Sequence, residues 1–342
     1  MLARAILAPL PEIRIDPLSG RKVIIAGERA QRPGGGPGCS PAAPIDPEAD
    51  PFAPGNEART PPELDVVRPS GGPPDAPGWT VRVVPNLYPA LEPAAETSAG
   101  SVRSSARTAR QELFTSMPAL GAHEVIINAP DCASSLADVG VEQVSAAMEM
   151  WRTRMRAHSE SAYVQLIVNE RHEAGASLAH THAQLYALAF VPQAVARERE
   201  RFGSYATRTM GHNLLGDLVA EEVRVRERIV AIDDEAVLLA PYASRLPYEL
   251  MLAPRRERAR FEDDGPLGAS LLYDGLSRLA RHLGSSPPLN LWVRTAPAGA
   301  EHFCWRIEIV PRLTHLAGLE LSTGLNINIV SPEQAAATLR AA

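Results

Sequence analysis

The sequence predicts an α+β fold of two related halves, each a mainly antiparallel sheet with helices packed on one side. Three observations lead there. Short strand-like runs bounded by turn residues recur along the chain, a segment from 140 to 158 has helical apolar spacing, and residues 289–312 repeat the rhythm of residues 166–192. A length of 342 residues exceeds the ~100–200 residues of an ordinary domain, as a duplicated unit would.

Taken in order, residues 12–32 read as two strands around Pro17-Leu18-Ser19-Gly20, followed by a polar exit carrying Arg29 and Arg32. Thirteen prolines between Pro33 and Pro77 should exclude regular structure, so 33–78 is expected to be a poorly ordered surface excursion. Strand patterns resume at Trp79–Pro85 and at His123–Asn128, on either side of an arginine-bearing insertion around 96–115. In the helix over 140–158, Val141, Val144, Met148, Trp151 and Met155 share one side. Tyr163–Pro192 reads as strand, glycine-containing loop and strand. Helices are expected around 193–230 and 266–284, bracketing strands at Ala236–Ala240 and Glu249–Ala253. Ser331 as N-cap, Pro332 at the first helical position and Gln334 in capping-box register mark a terminal helix.

A net charge of −6 without a basic stripe argues against a nucleic-acid partner. Cys39, Cys132 and Cys304 form no CxxC pair, which excludes a disulfide framework and fits a cytoplasmic protein. Pro9 and Pro11 interrupt the opening apolar stretch, and no run of ~18 apolar residues occurs, so neither a signal peptide nor a membrane span is expected.

The chemistry concentrates in the second strand of the 163–192 unit. Alternation puts His180, His182 and Gln184 on one face. Two histidines two residues apart are as often structural or metal-binding as catalytic. Imidazole, with a reference pKa of ~6.5, is also a suitable nucleophile for phosphoryl or nucleotidyl transfer, being unprotonated near neutrality. Gln184 and Ser177 can donate hydrogen bonds to phosphoryl oxygens without adding a competing base. In the second copy, Cys304, Arg306 and Glu308 take the phases of the two histidines and the glutamine, as expected if only one half does chemistry.

Asn169, Gly175-Ala176-Ser177 and His180-Thr181-His182-Ala183-Gln184, in this order and spacing, resemble the active-site signature of the galactose-1-phosphate uridylyltransferase family, within the histidine-triad superfamily. The similarity extends to RIDPLSGRKVIIAGERAQRP near the start, PNLYPAL at 85–91, GAHEVIINAPDCASSLAD at 121–138 and PYASRLPYELMLAP at 241–254. It implies histidine-triad-like halves: 1–192 with the HxHxQ site, and 193–342 as a degenerate repeat. It further implies that His182 attacks the α-phosphorus of a nucleotide sugar, forming a nucleotidyl-histidine, and that phosphate or a sugar 1-phosphate accepts the nucleotide. His180 and Gln184 would complete the catalytic set, and Gln184 in place of a third histidine resembles transferases rather than hydrolases. Arg29, Arg32, Asn86, Asn169 and Ser177 would bind substrate, and the protein would be a homodimer. The alternatives are a nucleotide-sugar phosphorylase and, behind it, a non-catalytic nucleotide-binding relative.

Departures from the pattern sharpen these expectations. The family's CPFCPG zinc segment reads DPFAPG here, with Asp50 and Ala53 for the cysteines, and Cys132 stands where a histidine is usual. No zinc is therefore expected, the alternative being a rebuilt site of Asp50, Cys132, His180 and Cys39. At a second family metal site Glu198 remains, but Arg294, Cys304 and Arg306 replace histidines. PNLYPAL and the ELSTG of residues 320–324 resemble the branch containing ADP-glucose phosphorylase.

Overall fold

A computed structural model of the protein describes residues 11–31, 38–93 and 113–342. Strands β1 (Glu12–Ile15) and β2 (Lys22–Ile25) form the expected antiparallel hairpin. Its turn is held by Asp16, whose carboxylate accepts the backbone N–H groups of Leu18 and Ser19 at 3.0 and 3.2 Å.

The proline-rich stretch corrects the expectation of irregular structure, for its described part 38–78. It holds a 3-10 turn at Glu57–Arg59 and a short strand β3 (Asp65–Val67), which pairs with β4 (Val81–Pro85). Side chains supply what the prolines cannot. Asn56 Nδ2 donates to the carbonyls of Pro47 and Asp50, Arg59 donates to those of Glu48 and Ala49, and Arg82 binds Thr60 and Asp75. Phe52 and Trp79 then bury a small apolar cluster with Val84, Val125 and Ile127.

The first half continues with β5 (Gly121–Ile127), helix α1 (Val141–Ala157), β6 (Tyr163–Glu170) and β7 (His182–Leu188). Helices α2 (Gln193–Arg208) and α3 (Leu214–Val225) follow. The helical reading of 193–230 ran too far. Arg226 turns left-handed at φ 62°, and Ile229 and Val230 belong to strand β8 (Ile229–Ile232). The second half then runs through β9 (Ala236–Leu239), β10 (Leu250–Pro254), α4 (Ala269–Leu283), β11 (Leu289–Arg294) and β12 (Arg306–Pro311). A short helix α5 (Gly318–Thr323), β13 (Asn326–Asn328) and the expected α6 (Pro332–Ala341) close the chain, with Ser331 accepting the Gln334 N–H.

Ten strands join in one sheet in the order β3-β4-β5-β7-β6-β11-β12-β10-β9-β8. The order is symmetric: β3 corresponds to β8, β4 to β9, β5 to β10, β7 to β12 and β6 to β11. The two central strands pair antiparallel, with Asn169 opposite Asn290, so the halves share one continuous sheet. Strands β1 and β2 form a separate small sheet with β13.

Alternation sorts the side chains to two faces. Leu166, Val168, Ala183 and Leu185 from the first half, and Leu250, Leu252, Ile307 and Ile309 from the second, meet α1 and α4 in the main core. Val144, Met148, Trp151 and Met155 of α1 are fully buried there, each contributing about 1.5–3 kcal/mol for its size. Val141, expected on the same side, lies exposed in the first helical turn. On the opposite face, Val237, Leu239 and Met251 meet α2 and α3 through Phe202, Leu215 and Val219. That same face carries His182 and Gln184 in the first half.

Candidate active site

Strand β7 begins at His182 rather than before His180. His182 is buried, at 5% exposure. Its Nδ1 lies 2.7 Å from the His180 carbonyl; since a carbonyl only accepts, Nδ1 carries the proton and Nε2 keeps its lone pair. Burial pulls the His182 pKa down, with the His180 carbonyl opposing, so the ring is neutral at pH 7. Phe52 stands edge-on to it, ring centroids 5.3 Å apart, and shelters one side. The result is a dry, neutral imidazole of defined tautomer.

Amide side chains flank it. Gln184, two residues along β7, accepts the Tyr186 hydroxyl at 2.8 Å and has His123 Nε2 3.1 Å from its Oε1. His123 is itself placed by β5, whose close approach to β7 requires glycine at position 121: a Cβ there would lie 2.0 Å from the Ala187 carbonyl oxygen. Asn86 follows β4, and its Nδ2 sits 3.1 Å from the same His123 nitrogen. One step beyond the Val168–Ala183 pair of β6 and β7, Asn169 lies across from His182. Its Oδ1 accepts Asn290 Nδ2 at 2.7 Å.

His180 lies just before the strand and is buried. Its Nε2 donates to the Ala129 carbonyl at 2.8 Å and its Nδ1 meets Asp50 Oδ2 at 2.6 Å. Burial would raise the Asp50 carboxyl, but the hydrogen bond from His180 and the Phe52 N–H hold it below its usual range. Donor atoms of Asp50, Cys132 and His180 lie within 4.8 Å of one another. Three donors of this kind could meet one ion, and among the described residues a fourth protein donor is missing from the group. Ala53, buried beside it, has no donor atom, and burial together with the Asp50 charge pushes the Cys132 thiol up. Cys39 is not part of the group; its sulfur lies 3.1 Å from the Ser285 hydroxyl and 3.4 Å from Arg171.

The remaining expected residues are more dispersed. Ser177 is exposed in the β6–β7 loop. Arg29 is exposed in a 3-10 turn (Gly27–Gln31) that follows β2 of the small sheet. Arg32 lies outside the described residues. The second family metal position has become an ion-pair network: Arg306 binds Glu198 and Glu308 at 2.8 Å each, and Arg245 reaches Glu308 at 3.0 Å. Burial alone would raise Glu308, yet Arg306, Arg245, Arg294 and Arg21 hold it well below the carboxylate range. Cys304 takes no part; it is buried with Phe202 and Phe303, where burial pushes its thiol to about 11.

His123, Tyr186 and Asn290 escaped the reading of the sequence. Tyr186 sits in strand phase with His182 and Gln184, which was a usable signal, whereas His123 shares its phase with Val125 and Ile127 and carried none. Asn290 lies 121 residues from Asn169 and 116 from Ala174, its partners here, and nothing local marks it.

Residues 8–192 match the family model described as galactose-1-phosphate uridyl transferase, N-terminal domain, and residues 140–341 match a domain of unknown function, DUF4921. An ADP-glucose phosphorylase from Arabidopsis thaliana is 31% identical, covering 96% of this chain and 92% of that protein. A galactose-1-phosphate uridylyltransferase from Cryptococcus neoformans is 28% identical, over 96% of this chain and 89% of its own length. The crystal structure of an Arabidopsis thaliana ADP-glucose phosphorylase with bound ADP-glucose superposes with a TM-score of 0.77 at 27% identity, covering 97% of this chain and 99% of that one. With His182, Gln184 and Asn169 on one sheet face, the chain belongs to the galactose-1-phosphate uridylyltransferase family of nucleotidyltransferases, with features of its ADP-glucose phosphorylase-like branch.

Proposed function

We propose that this enzyme moves a nucleoside monophosphate from a nucleotide sugar to phosphate or a sugar 1-phosphate through a nucleotidyl-His182 intermediate. The observation that carries the proposal is the bare Nε2 of a buried, neutral His182 whose other nitrogen is bound to a backbone carbonyl. Nε2 attacks the α-phosphorus, a P–N bond forms, and the bond to the leaving sugar 1-phosphate breaks with its electron pair on that product. The ring then carries a positive charge, which the His180 carbonyl stabilises through Nδ1–H. An acceptor oxygen displaces the imidazole in the second step and returns the electron pair to Nε2. Gln184 and Asn169 donate to the phosphoryl oxygens in both steps, while Ser177, Asn86, Arg29 and Arg32 complete substrate binding.

Phosphate as acceptor is favoured by the ADP-glucose phosphorylase relative, which matches over nearly the whole length of both chains. His180 supports the nucleophile by presenting its carbonyl, and the Asp50–His180 pair holds that loop without zinc. Purified protein should contain well below one zinc per chain; stoichiometric zinc lost in Cys132→Ser would contradict this. A homodimer is supported by Ile13 and Ile15, 62% and 52% exposed on the outer strand of the small sheet, and light scattering tests it. A cytoplasmic setting is supported by three free cysteines, and among the described residues no helix is long and apolar enough to cross a membrane.

Incubation with ADP-glucose or UDP-glucose followed by intact-mass analysis should show an AMP or UMP adduct on the His182 peptide. Phosphate or a sugar 1-phosphate should discharge it faster than buffer does. Absence of the adduct, with initial-rate lines that intersect rather than run parallel, would replace the covalent route by direct transfer.

A further inference from the structure

We propose that Asn290 and His123 are positioning residues that lock Asn169 and Gln184 with their NH2 groups turned towards the transferring phosphoryl group; this rests on the nucleotidyl-His182 reading. A side-chain amide has two flips of nearly equal shape. Only the NH2 end stabilises a phosphoryl oxygen, since the carbonyl end would repel it. Something must therefore choose the flip.

At each amide the choice traces back to a backbone group of fixed polarity. The Ala174 carbonyl can only accept, so the Asn290 atom 2.7 Å from it is Nδ2. The same Nδ2 lies 2.7 Å from Asn169, which must present its oxygen. Asn169 thereby keeps its NH2 free. On the other side, the Ala90 N–H can only donate, and it does so to His123 Nδ1 at 3.1 Å. The neutral ring then carries its proton on Nε2. Of the two groups 3.1 Å from Nε2, Asn86 Nδ2 and Gln184 Oε1, only the second accepts, because the Asn86 oxygen is already taken by the Tyr88 N–H at 2.8 Å. Tyr186 donates to the same Gln184 oxygen and stacks on His123 at 4.1 Å. Gln184 is left with its NH2 unspent. His182 obeys the same rule through the His180 carbonyl.

Asn290 comes from β11, so the half without the histidines contributes directly to the geometry of the half that has them. The central β6–β11 pairing is what brings it within reach.

The test is a pair of double-variant cycles on the full chain, reading the single-turnover rate of adduct formation from ADP-glucose or UDP-glucose. Asn290→Ala and His123→Phe, which keeps the ring stacked on Tyr186, should each slow the step by roughly 10- to 10²-fold, the scale of losing one aligned contact. Asn290→Asp keeps the shape but cannot donate, and should be at least as slow as Asn290→Ala. In Asn169→Ala, adding Asn290→Ala should cause no further loss, and in Gln184→Ala, adding His123→Phe should cause none. Equal fold-losses in both backgrounds, or wild-type rates in the single variants, would overturn the positioning roles. Should Asn290→Ala unfold, as judged by thermal denaturation, Asn290→Asp takes its place in the cycle. Wild-type protein that forms no adduct overturns the underlying reading and this proposal with it; adduct formation with multiplicative cycles overturns this proposal alone.

Discussion

His182 is held by two opposed influences, a burial that disfavours its charged form and the His180 carbonyl, which accepts its Nδ1–H and favours that form. Burial dominates, and the pKa lies below the ordinary 6.5. The reactive form is the neutral one, so the acidic midpoint of kcat/KM for the nucleotide sugar should lie below 6.5. A pH–rate profile with its acidic midpoint above 6.5 would contradict this assignment. His182→Ala should abolish turnover, and Gln184→Ala should slow adduct formation and breakdown together, by an amount on the order of 10². Rapid-quench measurement of the two half-reactions separates this outcome from a loss confined to one step.

At the scale of elements, β6 ends on a buried carboxyl that fastens it to the β5–α1 connection. Glu170 accepts the Ser135 hydroxyl and the Leu136 N–H, both at 2.6 Å. Burial raises its pKa from 4.5 to about 7. Between those values the folded protein holds a proton that the unfolded chain has lost, so this group's contribution is complete below pH 4.5 and disappears as pH rises through about 7. Glu170→Gln can accept the Leu136 N–H at its oxygen and donate its NH2 to the Ser135 oxygen without titrating. Urea denaturation from pH 5 to 8 should show a flatter stability profile in the variant, and a higher stability than wild type near pH 8. Parallel profiles would refute the assignment. Elements with a regular period were legible in the sequence, α1 from its 3.6-residue spacing and β6 and β7 from alternation. The stretch 38–78 was not, because its order comes from Asn56, Arg59 and Arg82 bonding distant carbonyls and side chains, and from Phe52 and Trp79 finding a shared apolar pocket.

The whole molecule is two halves zipped along β6 and β11, with the HxHxQ histidines in one and a charge network at the matching place in the other. Arg306 is nearly inaccessible, at 3% side-chain exposure, and so is Glu198, at 1%. Arg306→Ala would strand Glu198 and Glu308 without their shared partner. The expected loss is about 3–5 kcal/mol of folding stability, the usual cost of breaking a buried pair on one side. Urea denaturation measures it, and a loss below about 1 kcal/mol would show that water reaches the cluster.

The sequence by itself determined the α+β class, the order of most elements and the strand that carries the HxHxQ motif, because periodicity and motif spacing are local properties. It also marked Asp50, Cys132 and His180 as neighbours, through the resemblance of their surroundings. Only the tertiary structure decided how they meet, as a hydrogen-bonded Asp50–His180 pair with Cys132 alongside. Only it showed that strand β7 starts at His182, and that α2 and α3 cover the second half on the face opposite α1. The orientation of Gln184 and Asn169 likewise depended on His123 and Asn290, which reach them across strand pairings. Register between strands far apart in the chain is set by packing of the whole sheet, and no local run of residues encodes it.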